Sequence, residues 1–453
     1  MPNSIEARDA ATQLHSYTNI SALEKDGALV IQRGEGVYVE DVHGKRYLDG
    51  MAGLWSASLG FSEPRLARAA ERQMSELSFY HTFFGRSVKV TAELSEKLVD
   101  ITPEHLTRVY FANSGSEAND TAVKLIWYYH NAIGKPEKKK ILSRQLGYHG
   151  VTVASASLTA IPINQIAFDL PIERIGHVGC PHHYRFAEPG ESEEDFATRL
   201  AKELEDRILE EGPETVAAFF AEPVMAAGGV IVPPRTYFDK IQPVLKKYDV
   251  LFVADEVVCG FGRTGELFGS ATYDLSPDFM TLAKGLSASA APISALMMSE
   301  KIHDAIRDQS NEIGVFGHGY TYSGHPLPAA VALETIKIYQ EIDIVARVKE
   351  RVPVFQQRLM ALGDHPLVGE ARGVGLIGAV EMVEDKATKA PFDPKRGIGP
   401  RANQTALEHG LILRARGDAL TICPPLIISD REVHEMFDKL TIALDITASE
   451  IGA

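Results

Sequence analysis

Lys284 lies in MTLAKGLSASAAPISA, a stretch that carries no other charge. An amine kept away from water has a depressed pKa and is free to form a Schiff base with a carbonyl. Asp255 ends the apolar run VLFVA, and a carboxylate buried there needs a cationic or hydrogen-bonding partner. ANSGSEANDTAVKLIWYY places Ser114-Gly115-Ser116 ahead of a helical pattern whose apolar positions are Ala118, Ala122, Leu125 and Ile126. Exposed N–H groups at such a helix start can cup a phosphate, although the same turn also serves as a plain N-cap. Tyr148-His149 and Glu222 likewise follow β-rich runs.

The elements around these residues explain why they could meet. From about residue 100 the runs RVYFANSG, KKILSRQ, TVAAFFAEP, VLFVADEV and DFMTLAKG each precede turn residues and then a helical pattern. Strands alternating with helices imply right-handed crossovers and a mostly parallel sheet in an α/β domain. Such a sheet gathers the C-terminal strand ends on one edge, where ligands bind. Earlier, residues 29–49 alternate apolar and polar positions around Gly34, Gly36 and Gly44, the pattern of a small antiparallel meander. After residue 340 a helical 345–364 precedes strand-like VGLIGAVEMV, and ALTICPPLIIS leads into a helical C-terminus. The expected division is an N-terminal segment 1–60 belonging to a small α+β domain, a large domain 61–335, and the rest of the small domain at 336–453.

Two other sites compete for attention. Gly260, Gly262 and Gly265 spell G-x-G-x-x-G, but the following ELFGSATYDLSPD leaves no room for a long helix. No acidic residue stands at a second strand end to meet a ribose, so the stretch reads as a tight loop with Arg263 exposed or paired. HVGCPHHYR gathers His177, Cys180, His182 and His183 at spacings that fit no standard zinc pattern, and it reads as a surface loop. No metal is expected.

Composition limits the rest. The 453 residues are 45% hydrophobic and carry a net charge of −15, which leaves no basic surplus to displace counterions from nucleic acid. No run of 18 apolar residues suggests a membrane span, and the first thirty residues lack the apolar core of a signal peptide. Cys180, Cys259 and Cys423 are distant and odd in number, as expected of a reduced, cytoplasmic protein.

A protonated pyridine nitrogen would satisfy Asp255, an aldehyde would meet Lys284, and a phosphate would fill the cup. Together they describe a site for pyridoxal 5'-phosphate. On SGSEAND, YHG, ADEVVCGFGRTG, AKGLS and HGYTYSGHP the chain resembles the class III pyridoxal-phosphate aminotransferases, and more narrowly their omega-transaminase (amine:pyruvate) group. The likeness extends from LHSYTN near the start to LILRARGD near the end. It implies fold type I and ping-pong transfer of an amino group from a primary amine or ω-amino acid to pyruvate, giving a ketone or aldehyde and alanine. A racemase or decarboxylase on the same fold is the alternative.

By position, the resemblance makes Lys284 the Schiff-base lysine and Asp255 the partner of the ring nitrogen. Ser114, Gly115 and Ser116 would hold the phosphate, joined across a homodimer interface by Thr321 of the partner subunit. Tyr148 would stack on the ring, with His149, Glu222 and Val257 also at the cofactor. Tyr17, Leu54, Trp55, Tyr148, Ala227 and Phe84 of the partner subunit would line the substrate pocket. Arg414 would accept a substrate carboxylate, with Arg416 a competitor for that role. Where many relatives carry an aromatic residue, this chain has Ala290 beside Ala291, which either widens the cofactor surroundings or packs on the partner.

Overall fold

The computed structural model describes residues 4–452, so the outermost ends of the expected small domain, 1–3 and 453, lie outside it. After two short helices, Ile5–Thr12 and Ile20–Asp26, comes an antiparallel meander: β1 (Ile31–Glu35), β2 (Tyr38–Asp41) and β3 (Arg46–Asp49). The central sheet comprises β4 (Leu106–Ala112), β5 (Lys140–Arg144), β6 (Ile175–Val178), β7 (Val216–Ala221), β8 (Leu251–Asp255), β9 (Phe279–Leu282) and β10 (Ser294–Ser299). Its spatial order is β4-β10-β9-β8-β7-β5-β6, and every strand except β10 runs the same way.

The two-residue period of a strand sends neighbours to opposite faces, and both faces are covered. Phe219 and Phe252 join Phe196, Leu200, Leu204 and Phe238 of the helices Glu193–Glu211 and Tyr237–Lys247 on one side. Phe220 and Val253 pack with Ala122, Leu125 and Ile126 of the helix Gly115–Ala132 on the other. Each such large side chain contributes about 1.5–3 kcal/mol on burial, so the sheet is a rigid base for its loops.

Two strands of the central sheet escaped the sequence reading. β10 is a short, almost fully buried apolar run, whose periodicity does not separate strand from helix. β6 is four residues long and includes His177, so HVGCPHHYR starts inside the sheet and is not a surface loop: Cys180 and His182 are 4% and 5% exposed.

Both chain ends meet. β13 (Leu411–Ile412) adds in parallel to β3, while β11 (Val368–Val374), β12 (Ile377–Met382), β14 (Arg414–Arg416) and β15 (Ala419–Ile422) make a third sheet in the order β11-β12-β15-β14. The helix Asp430–Ile451 starts with a capping box between Ser429 and Glu432. Position 335 falls within the helix Pro326–Glu341, which packs on the helices Pro64–Glu76 and Lys89–Ile101. No described helix is long and apolar enough to cross a membrane.

Candidate active site

β8 and β9 set the geometry. Asp255 pairs in register with Thr281, so the chain leaving β9 delivers Lys284 to the edge where Asp255 ends β8. Lys284 has a φ of 47°, left-handed backbone that a side-chain-bearing residue rarely adopts. Burial pushes its amine pKa down, opposed by the charges of Asp255 and Glu222. Nζ makes no hydrogen bond or ion pair with any described residue, so a nucleophilic amine is held free at the strand edge.

The carboxylate is fixed on all sides. Asn119 Nδ2 donates to Asp255 Oδ2 at 2.8 Å, His149 Nδ1 lies 2.8 Å from the same oxygen, and Val257 N donates to Oδ1 at 3.1 Å. Asp255 and His149 are 3% and 2% exposed. His149 Nε2 and Asn119 Oδ1 are buried without partners. Sequence reading missed Asn119, although a polar residue on the apolar face of a helix between Ala118 and Ala122 signals a buried partner.

Ser114 caps the helix Gly115–Ala132, its hydroxyl accepting from Glu117 N at 3.2 Å. A Cβ on Gly115 would stand 3.1 Å from Val257 Cγ2, so glycine lets this helix start press against the loop after Asp255. Ser116 Oγ accepts from Val151 N at 3.1 Å, and Gly150, at φ 135°, has room for no side chain beside it. The Ser-Gly-Ser turn is therefore both an N-cap and a crowded concave start to a helix beside Asp255.

Glu222 is buried at the end of β7, and its carboxylate accepts from Tyr148 N at 3.0 Å and Ala226 N at 3.2 Å. Burial pushes its pKa up, opposed by His149 and reinforced by Asp255. Beneath it the fully buried Arg144 donates to the Glu222 carbonyl. Tyr148 has its phenol pKa raised by burial and by a hydrogen bond with Tyr17, and the charge of Arg414 opposes this. Tyr17 also accepts from Asn164 Nδ2, a second residue the sequence did not reveal.

The Arg414 guanidinium carbon lies 6.0 Å from the Tyr17 ring centre. Its charge reaches Tyr148 and Lys284, and it has no ion-pair partner among the described residues. Arg416 points elsewhere: its Cγ faces Gly229 and its Nε is buried and unpartnered. Between the two, Arg414 is the arginine that belongs to the lysine cluster.

The residues expected to line the substrate pocket differ widely in exposure. Trp55 is 3% exposed, while Tyr17, Leu54 and Phe84 are 58%, 61% and 82% exposed. Tyr17, Trp55 and Phe84 all have positive φ, at 52°, 64° and 56°, strain of about 1–3 kcal/mol each that collects at working sites. Ala227 is buried in the loop after Glu222. Thr321 is exposed on the loop before the helix Pro326–Glu341, away from any hydrogen bond to the cluster in its own chain. Ala290 is exposed, whereas Ala291 is buried in the core and its carbonyl accepts from Ser287 at 2.6 Å.

The competing stretches resolve differently. Arg263 is not exposed: it is 2% accessible and donates to the carbonyls of Leu376 at 2.9 Å and Pro424 at 2.6 Å. His177 bonds to the Ser157 carbonyl, His183 to that of Glu191, and His182 to Glu370, so these histidines do not share a centre with Cys180. His182, Glu370 and Glu381 do approach one another, but Arg372 Nη1 already sits 2.5 and 2.6 Å from the two carboxylates.

With this geometry, the family model described as Aminotransferase class-III matches residues 20–444. Gamma aminobutyrate transaminase 3, chloroplastic, of Solanum lycopersicum is 51% identical over 424 residues, 93% of this chain and 82% of that relative. A thermostable omega transaminase 4-fold mutant from Pseudomonas jessenii superposes with a TM-score of 0.98 at 53% identity, covering all of both chains. The Pseudomonas jessenii omega transaminase in complex with PMP gives a TM-score of 0.98 at 54% identity over 99% of each chain.

Proposed function

The chain belongs to the class III aminotransferases, and on that premise we propose that it transfers an amino group from a primary amine or ω-amino acid to pyruvate, releasing a ketone or aldehyde and alanine. It has the fold type I architecture and uses pyridoxal phosphate, the cofactor of its family. Alanine formed from an amine and pyruvate is the outcome that separates this reading from a racemase or decarboxylase on the same fold.

The residues present fit that cofactor. A buried carboxylate with three fixed partners suits a protonated ring nitrogen, and the Gly115 approach suits a phosphate at the helix start. Lys284 would hold the aldehyde through Nζ, and Asp255, Ser114, Gly115, Ser116, Tyr148, His149, Glu222 and Val257 would surround the rest. When bound, the cofactor supplies an electron sink and stores the amino group between the two half-reactions.

The chain's own groups do the remainder. Lys284 Nζ, its protonated form disfavoured by burial, takes the proton from the amine-bearing carbon of the donor and later returns one to the acceptor. The charges of Asp255 and Glu222 favour the protonated amine and so oppose the effect of burial. Tyr17, held by Asn164, and Tyr148, whose main chain is held by Glu222, would supply one wall, with the buried Trp55 beside them.

The observation that carries the pyruvate reading is Arg414, a half-buried cation without an ion pair among the described residues, standing at Tyr17 with its charge felt at Lys284. A carboxylate is its natural partner. The gamma aminobutyrate transaminases among the relatives make an ω-amino acid a donor to test alongside an arylalkyl amine. A donor panel against pyruvate, read as alanine formed, tests the reading: no alanine from any donor would overturn it.

The same reading makes the protein a homodimer with shared sites, the partner's Phe84 and the partner's Thr321 completing each one. The exposure of Leu54, Phe84 and Tyr322, at 61%, 82% and 58%, supports this. A fully active monomer in sedimentation would refute it. We place it in the cytoplasm, in keeping with three buried free cysteines; fractionation tests this.

A further inference from the structure

The loop from Glu222 to Ile231 carries Ala227, and its backbone is under strain. Val230, β-branched, has a φ of 52°, and Gly229 has a φ of 118°. Gly228 lies so close to the main chain that a Cβ there would meet the Leu146 carbonyl oxygen at 2.5 Å. A β-branched residue in left-handed backbone persists only where its surroundings over-determine it. At one end the Glu222 carboxylate holds Ala226 N. Within the loop Met225 and Ile231 pair main chain to main chain and the Ala226 carbonyl accepts from Gly229 N and Val230 N, which leaves the carbonyls of Gly229 and Val230 to one arginine side chain.

Arg372, on β11, commits its whole guanidinium here. Nε donates to the carbonyls of Gly229 and Val230, each at 3.1 Å, and Nη2 donates to Gly229 at 2.7 Å. Nη1 meets Glu370 and Glu381 at 2.5 and 2.6 Å, which balances the buried charge. His182 at 2.8 Å from Glu370, and Arg185 on Glu381, brace those carboxylates from the large domain. The arginine is 7% exposed, so these contacts work without competition from water.

We propose that Arg372 is a positioning residue that sets substrate specificity, acting through the main chain of Gly229 and Val230 to hold the Ala227 wall in place. This rests on the reading of Ala227 as pocket lining. The flat fork is what allows two carbonyls and two carboxylates to be bridged at once, a task the point charge of lysine does not perform. Donors whose substituent reaches the wall depend on the clamp. Alanine, whose methyl is short, does not.

The test is Arg372→Lys in the holoenzyme, with hydrogen exchange over residues 225–232 and steady-state kinetics for a bulky arylalkyl amine and for alanine. Exchange over that segment is expected to rise about tenfold, and KM for the bulky amine about tenfold, with alanine's KM and both kcat values within about twofold. Unchanged exchange, or equal losses for both donors that follow a fall in Tm, would overturn the proposal. Should Arg372→Lys fail to fold, Glu370→Gln removes only one balancing carboxylate and is expected to shift both measurements the same way; no shift there is equally fatal. A wild-type enzyme that turns over neither donor counts against the substrate reading instead, and exchange alone then decides the clamp.

Discussion

His149 Nδ1 and Asn119 Nδ2 both stand 2.8 Å from one oxygen of Asp255, so a single carboxylate atom joins β8, the turn after β5 and the helix Gly115–Ala132. Asn119 also donates to the His149 carbonyl at 2.7 Å, which makes it the hub. Replacing it with alanine removes two buried hydrogen bonds. Asn119→Ala is expected to cost about 1–3 kcal/mol for each group left unsatisfied, and to speed loss of cofactor on dialysis. Thermal unfolding and residual cofactor absorbance measure this, and wild-type values for both would disprove the hub.

Lys284→Ala is expected to abolish alanine formation while phosphate-dependent binding of the cofactor survives. The amine is held buried at the strand edge to move the proton, whereas the phosphate cup is built from Ser114 to Ser116. A mutant turning over at the wild-type rate would remove Lys284 from the chemistry.

Arg414→Ala separates the two half-reactions. Recognition of pyruvate and alanine is expected to weaken by about 1.5–3 kcal/mol, a charged hydrogen bond's worth, and reaction with an arylalkyl amine much less. Each half-reaction is followed by cofactor absorbance. Equal losses in both would make Arg414 structural and return the carboxylate to Arg416.

Glu256, next to Asp255, is buried with its pKa raised from 4.5 to about 7 by loss of water, against hydrogen bonds from Ser270 and Gly269. A carboxyl with a raised folded-state pKa binds protons in the folded state that the unfolded chain releases. Its contribution to stability is therefore full below about pH 4.5 and is lost as pH rises through about 7. Stability is expected to fall between pH 5 and 8 by an amount on the order of 3 kcal/mol from this group. Glu256→Gln should flatten that part of the Tm profile, and an unaltered profile would show that the carboxyl does not titrate there.

What could be read from the sequence was local. Strands β4, β5, β7, β8 and β9 announced themselves because each apolar run ends in turn residues and gives way to a helical period, and those signals span a dozen residues at most. Lys284 and Asp255 stood out for the same reason: a charge in an apolar stretch needs a purpose, whatever the fold. The family resemblance then supplied roles, but not contacts.

Partners far apart in the chain were decided only by the tertiary structure. β10 reverses direction between β4 and β9, and nothing within SALMMS marks that choice. Arg414 and Arg416 lie two apart on one short strand, and in sequence only a resemblance favours Arg414; in the structure Arg414 is the one that stands at Tyr17, almost four hundred residues away. Arg372 resembles any arginine near a glycine until the fold brings it to the carbonyls of Gly229 and Val230. A buried charge takes its meaning from the groups that replace its water, and here those groups come from other segments of the chain.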